Sequence, residues 1–304
     1  MDRFPEAEAT LRKAAEQKVD IPELDLLRYY MAFLNNDDAV MQQEAAQAQG
    51  KPGAEDWMAH SESLVLARSG QSQKATDVSR HAADLAQRAN ERERAATYIA
   101  GTAAWQALFG NASEARRNAT EALQLSKGRD VEYAAAFTLA LLKDSSRSLS
   151  LTRDLEQRFP EDTSVQFNYL PALRALEALN RNKPSQALEF LQAAVPYELA
   201  LPGVHYFGFF GSFFPVYIRA QAYLDLHQGG EAGREFQKIL GHRGLVGADP
   251  VGALAHLGLA RAYAMQGDTT KTKAAYQDFL TLWKDADPDI AILKQAKAEL
   301  AKLQ

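Results

Sequence analysis

The 304-residue chain contains no cysteine, which excludes a disulfide framework and any thiolate nucleophile or metal ligand. Reducing and oxidising compartments both tolerate such a chain. Glycine (18) and proline (11) are sparse, so neither a low-complexity linker nor a turn-rich β architecture is expected. No sign of charge dominates: 34 basic and 39 acidic residues leave a formal charge of -5. That balance lacks the concentrated basic surface needed to grip a nucleic-acid backbone. No apolar run approaches the ~20 residues needed to cross a bilayer, and no charged-then-apolar leader is read at the start. Sustained alternation of period two is missing, so strands are not expected.

What is present is a chain 46% hydrophobic and 24% charged, sufficient for a continuous core. Apolar residues recur at i, i+3, i+4 and i+7, as in Asp154 to Phe159 and Ala187 to Val195, which predicts helices almost throughout. A turn recurs with them. Short polar or glycine turns fall at Asn36, Gly70, Gly110, Lys143, Asn182, His227 and Gly267, spaced 34, 40, 33, 39, 45 and 40 residues apart. Such periods indicate stacked two-helix repeats.

The flanks repeat as well. Seven positions before each turn stands Ser63, Ala103, Ala136, Ala175, Ala220 or Ala260, with Tyr29 the exception. Five positions after it stands Ala75, Ala115, Ser148, Ala187, Ala232 or Thr272, with Met41 the exception. Helix axes approach to ~8–10 Å only where facing side chains are small. Larger pairs such as Leu191/Ala194, Phe236/Ile239 and Tyr276/Phe279 then fill the layers beside them. Asp37, Ser72, Asn111, Ser145 and Asp268 are placed to cap the following helices, and Pro184 sits where a first helical residue tolerates proline.

This pattern resembles the tetratricopeptide repeat, with Tyr223 and Tyr263 matching its aromatic position and Leu66, Gln106, Leu139 and Ala178 departing from it. The resemblance implies an all-α, right-handed solenoid of about seven helical hairpins. We expect one array over 1–304: N-terminal repeats in 1–195, an irregular aromatic and glycine-rich connection in 196–215, and C-terminal repeats with a capping helix in 216–304. Arg3 to Gln17 reads as the second helix of a hairpin whose first helix is missing, suggesting a piece of a longer chain. Asp287-Pro288-Asp289 reads as the cap and first turn of the last helix. A narrower resemblance is carried by Phe279 to Gln304, by FPEDTSVQFNYLPALRALEAL from Phe159 and by YFGFFGSFFPVY from Tyr206. These segments are similar to the C-terminal arrays of bacterial eukaryote-like serine/threonine kinases.

Kinase chemistry itself is not expected. Gly241-His242-Arg243-Gly244 and Tyr206 to Gly211 lack a strand–loop–helix setting, and the catalytic and metal-binding aspartates are missing. Asp285, Asp287 and Asp289 alternate like a calcium loop, but Ile290 and Ala296 replace its glycine and bidentate glutamate. His60, His81, His205, His227, His242 and His256 show no i, i+4 pair, and Gly211-Ser212 lacks a nucleophile elbow. No catalytic residue, metal or cofactor is therefore expected.

Two regions are candidates for binding. Counting back from the small residues puts Trp57, His60, Tyr133, Phe137, Tyr169, Phe214, Tyr217, Gln221 and Arg261 on the concave face, a groove suited to an extended or helical peptide. The connection concentrates Tyr197, Tyr206, Phe207, Phe209, Phe210, Phe213 and Phe214 around three glycines. These rings either wedge between hairpins or line a groove or dimer contact. The leading expectation is a non-catalytic scaffold or sensor for a protein or peptide partner or for a second copy, with no nucleic acid and no membrane span. The alternatives are a ligand-sensing array of a transcriptional regulator and an enzyme with its pocket at the connection, near Glu198 and His205.

Overall fold

The computed structural model describes residues 3–19, 21–51, 53–200 and 213–303. All seven turns place their central residue in the left-handed region: Asn36 (φ 56°), Gly70 (76°), Gly110 (89°), Lys143 (58°), Asn182 (56°), His227 (58°) and Gly267 (74°). The next residue sends its N–H back over the end of the helix: Asp37 to Ala32, Gln71 to Leu66, Asn111 to Gln106, Asp144 to Leu139, Lys183 to Ala178, Gln228 to Tyr223 and Asp268 to Tyr263, at 2.9–3.1 Å. This is the Schellman closure, which satisfies a terminal carbonyl and reverses the chain.

Among the described residues the fold is an all-α solenoid of seven helical hairpins. They are α2 (Pro22–Asn35) with α3 (Asp38–Ala48), α4 (Glu55–Arg68) with α5 (Ser72–Arg88), α6 (Arg92–Phe109) with α7 (Ala112–Leu125), α8 (Arg129–Leu141) with α9 (Ser145–Arg158), α10 (Leu170–Asn180) with α11 (Pro184–Leu191), α12 (Phe214–Asp225) with α13 (Gly229–Leu240), and α15 (Pro250–Met265) with α16 (Thr269–Leu282). The single helix α1 (Phe4–Glu16) comes first, the short α14 (Arg243–Val246) links α13 to α15, and α17 (Ala291–Ala301) comes last. A π-helical turn, Val165–Tyr169, leads into α10, and a 3₁₀ turn, Gln192–Tyr197, follows α11. No helix among the described residues is long and apolar enough to cross a membrane.

The twelve small flanking residues, from Ser63 and Ala75 to Ala260 and Thr272, all have 0% exposed surface. Where one is a hydroxyl it is satisfied locally: Ser148 Oγ donates to the Ala136 carbonyl across its hairpin at 3.0 Å. The exceptions are consistent with a looser first hairpin, where Tyr29 is buried but Met41 only half so.

Capping follows the sequence in part. Asp37, Asn111 and Asp268 accept from the backbone N–H groups of Val40, Glu114 and Lys271, and Pro184 opens α11. Ser72 and Ser145 instead lie one residue inside their helices and cap nothing. The expected role of Asp287 is also corrected. Ile290, not an aspartate, precedes α17. The Asp287 carboxylate reaches across to α5, accepting from Gln73 N at 2.8 Å. Asp289 pairs with Lys294 on the surface.

That reach reveals the main departure from a simple stack, in which each repeat meets only its neighbours. The last hairpin lands on the second and third. Trp283 is buried, donates its Nε1–H to the Arg68 carbonyl at 2.9 Å and meets Phe109 edge-on at 5.0 Å. Asp287 N donates to the Gly70 carbonyl at 3.1 Å, and Arg68 Nη1 donates to the Asp249 carbonyl at 3.1 Å. Ala67, Trp105 and Phe109 share one apolar cluster with Leu254, Leu257, Phe279 and Leu293. The superhelix is closed.

The turns give a paired expectation of opposite sign. Exposed His227 carries the strain of a side chain at φ 58°, so His227→Gly should raise stability by about 0.5–1 kcal/mol. Gly70→Ala adds a Cβ at φ 76° that would sit 2.6 Å from Ala286 Cβ and 2.8 Å from the Trp283 ring, and should lower it by more than that gain. Urea midpoints of the two variants, measured together, check both signs.

Candidate functional site

The first helices of adjacent hairpins touch in sequence, α6 with α8, α8 with α10, α10 with α12 and α12 with α15. Closure adds α15 against α4. These helices form an inner layer; eight of the nine predicted concave residues lie on them, and Tyr169 ends the π-helical turn that leads into α10.

The open aromatic groove expected there is filled at five positions. His60, Tyr133, Phe137, Tyr169 and Phe214 are buried. Tyr133 stacks on Tyr169 with centroids 3.8 Å apart, Phe137 on Phe214 at 4.3 Å, and His60 on Tyr98 at 4.2 Å. Each such contact contributes about 0.5–1.5 kcal/mol beyond the area it buries. The physical reason is radius. A superhelix tight enough to close on itself brings facing rings within stacking distance, so they become core.

His60 illustrates the consequence. Burial pushes its pKa down to about 3, so the ring is neutral near pH 7. Its Nδ1 lies 3.4 Å from Ser79 Oγ and 3.5 Å from Ser63 Oγ. Among the described residues no three His, Cys, Asp or Glu side chains converge as a metal site.

Trp57, Tyr217, Gln221 and Arg261 keep part of their surface. The Arg94 guanidinium lies over the Trp57 ring at 5.3 Å. Burial is the first cause raising the Tyr217 phenol to about 12, and Gln221 hydrogen-bonds it. Arg261 grips Glu299 of α17 with two bonds, 3.0 and 3.2 Å, and Tyr276 donates to the same carboxylate at 2.8 Å.

Of the connection, Tyr206, Phe207, Phe209 and Phe210 lie outside the described residues. Phe213 is buried, with its ring 6.0 Å from that of His242, and Tyr197 stacks on Phe167 at 4.4 Å. Glu198 is taken up by ion pairs: Arg219 reaches it at 2.5 Å and Lys238 at 2.7 Å, and Arg219 also bonds Glu235 at 2.7 Å. His205 lies outside the described residues.

Sequence reasoning missed a recurring clamp between inner helices. Tyr98 donates its hydroxyl to Asp56 at 2.9 Å, beside Arg94 Nε at 2.9 Å. Two hairpins on, Tyr169 donates to Asp130 at 2.7 Å, beside Arg129 Nε at 2.9 Å. In both cases an aspartate in the first turn of one inner helix is met by a tyrosine about 40 residues later. Burial raises the Asp56 pKa, while Arg94 and Tyr98 oppose it. Asp249 precedes α15 as its N-cap and has no such tyrosine and arginine pair among the described residues. Its Oδ1 accepts from Val251 N at 2.8 Å, but its Oδ2 is buried with no hydrogen bond among the described residues. Desolvation pushes this carboxyl up to about 7.

No family model and no curated protein matches the chain. Among solved structures it is similar to the yeast Tom70, covering 99% of this chain and 58% of that one at 14% identity, with a TM-score of 0.44. It is also similar to the P58(IPK) TPR domain, covering 99% of this chain and 93% of that one at 13% identity, with a TM-score of 0.32. The chain thus spans well under two thirds of the Tom70 chain.

The Asp249 environment sets a pH dependence. A carboxyl whose folded pKa is about 7, against about 3.9 unfolded, favours folding when protonated. That stability is fully present below about pH 4 and is lost as pH rises through 7. Asp249→Asn keeps the capping oxygen and removes the charge. It should be more stable than the parent at pH 8, by a margin that grows between pH 5 and 8 at no more than about 1.4 kcal/mol per pH unit. Glu132, also raised to about 7 by burial and Asp154, is common to both chains and cancels. Unfolding curves at four pH values test it, and parallel pH profiles would refute the assignment.

Proposed function

We propose that this chain is a non-catalytic scaffold for a protein or peptide partner, acting as the regulatory array of a bacterial serine/threonine kinase. One observation carries the scaffold reading. Four of the nine predicted concave residues keep part of their surface, and they sit on α4, α12 and α15, helices that become consecutive neighbours because the superhelix closes. They are a tryptophan, a tyrosine, a glutamine and an arginine on rigid helices, and Trp, Tyr and Arg are the types that dominate interface energies. Presenting them from a packed framework lowers the ordering cost of association.

The kinase assignment rests on the resemblance of Phe279 to Gln304, of the segment from Phe159 and of the segment from Tyr206 to the arrays of such kinases. In that reading the array recruits a substrate or regulator, or pairs with a second copy, while phosphoryl transfer resides elsewhere in the parent protein.

The experiment is affinity capture with the purified chain as bait, followed by titration of the captured protein against the parent chain, Trp57→Ala and Tyr217→Ala. Each variant is expected to weaken binding by about tenfold or more, the loss typical of a central anchor, with its helical circular dichroism retained. Undiminished binding by both variants would remove these residues from the interface. ATP hydrolysis by the purified chain would overturn the non-catalytic reading.

A further inference from the structure

Closure leaves a cavity of about 270 Å³ on the seam between the two ends of the superhelix. Its wall is apolar, from Phe33, Val65, Val246 and Leu282, and two guanidiniums face it, Arg68 of α4 and Arg243 of α14. The cavity therefore draws on elements from both ends of the chain.

Neither cation has a carboxylate at ion-pair distance among the described residues, and both line the same cavity. Arg68 gives one N–H to the Asp249 carbonyl and lies 5.8 Å from the Phe33 ring centroid. A guanidinium has five N–H donors, so most of those of Arg68 have no protein acceptor among the described residues. Arg243, exposed at the mouth, gives one N–H to the Leu34 carbonyl. Burial lowers the Arg68 pKa to about 10, with Asp249 opposing and Arg243 adding to the fall. Other buried arginines in this fold are met by carboxylates, as Arg219 is by Glu198 and Glu235. Two guanidiniums over an apolar wall, with unused donors, lack an anion.

We propose that the seam cavity binds a small organic carboxylate, its charge held between Arg68 and Arg243 and its apolar part against Phe33 and Val246. Guanidiniums bind carboxylates through paired, charge-assisted hydrogen bonds. The volume lies just below the range of drug-sized sites, which fits a single ring or short chain and not a folded segment. Because the ligand touches both ends of the superhelix, its binding stabilises the closed form by mass action. This site is independent of whether the array recruits a protein.

The probe is benzoate, with benzyl alcohol as its uncharged counterpart and acetate as the charge without the ring. Each is titrated against the full chain, following the thermal midpoint and the heat of binding. Benzoate should raise the midpoint saturably and bind at least about tenfold more tightly than either control, the discrimination expected of a charge-assisted bond plus ring burial. Arg243→Gln should weaken benzoate by about tenfold or more, and Arg243→Glu should abolish its binding. Arg243 is exposed but also bonds the Leu34 carbonyl, so each variant's benzoate shift is read against its own ligand-free midpoint, and the heat of benzoate binding to each folded variant, against the parent, decides. The proposal is overturned if benzoate shows no saturable effect, binds no better than benzyl alcohol, or binds the Arg243 variants as tightly as the parent.

Discussion

Two antiparallel helices can pack with backbones nearly touching only if neither carries bulk where they cross, and every later feature of this molecule depends on that steric condition. Ala103 and Ala115, Ala136 and Ser148, Ala220 and Ala232 lose all their surface. The flanking Leu191, Phe236 and Phe279 are equally buried. Small side chains bury little apolar area, so they contribute modestly to the hydrophobic term. What they fix is geometry: the tilt within a hairpin, and hence the step from one hairpin to the next. Repeated seven times, that step sets the radius of the superhelix.

The radius in turn decides whether the inner face is a groove or a core. Here it is small enough for Tyr133 to stack on Tyr169 and Phe137 on Phe214, and for Trp283 to seal against Phe109 and the Arg68 carbonyl. A buried tryptophan outweighs the surface ion pairs nearby, since truncating one typically costs about 3–5 kcal/mol and an exposed pair contributes about 0–1. Closure is therefore driven by packing. Hydrogen bonds such as Asp287 to Gln73 and Gly70 set its register. An array in this state has exchanged open-ended flexibility for a framework in which the last hairpin and the second and third constrain one another.

This division explains what was legible in the sequence. The seven turns were legible because a left-handed residue followed by a backbone closure admits few residue types, and glycine, asparagine and small polar breaks reveal it. The small residues were legible because close approach leaves no alternative at those positions. Ser72 and Ser145 misled because a serine one position inside a helix looks the same as a cap. Asp287 misled for a deeper reason: its partner is 214 residues away, and a local motif cannot announce a distant acceptor. The inner aromatics followed from counting along each helix, but whether they line a groove or fill it is a property of the radius. That radius sums small angles that no single position encodes. The Tyr98–Asp56 and Tyr169–Asp130 clamps went unseen for the same reason, since each joins helices whose facing depends on it.

The polar interior shows where this economy breaks down. Asp56 and Asp130 are buried with a tyrosine and an arginine each, and Glu198 with two cations, so their desolvation is largely offset. Asp249 and Arg68 are treated differently. Among the described residues one keeps a carboxylate oxygen without a hydrogen bond and the other most of its donors, though both sit at the junction that joins the two ends. They meet through the Asp249 carbonyl and not through the carboxylate. A junction held by packing alone would be better served by apolar residues of the same volume. Polar groups left unmet at such a place lower the cost of parting the seam relative to unfolding any hairpin. A molecule that satisfied those groups would act directly on the contact that holds the ring shut.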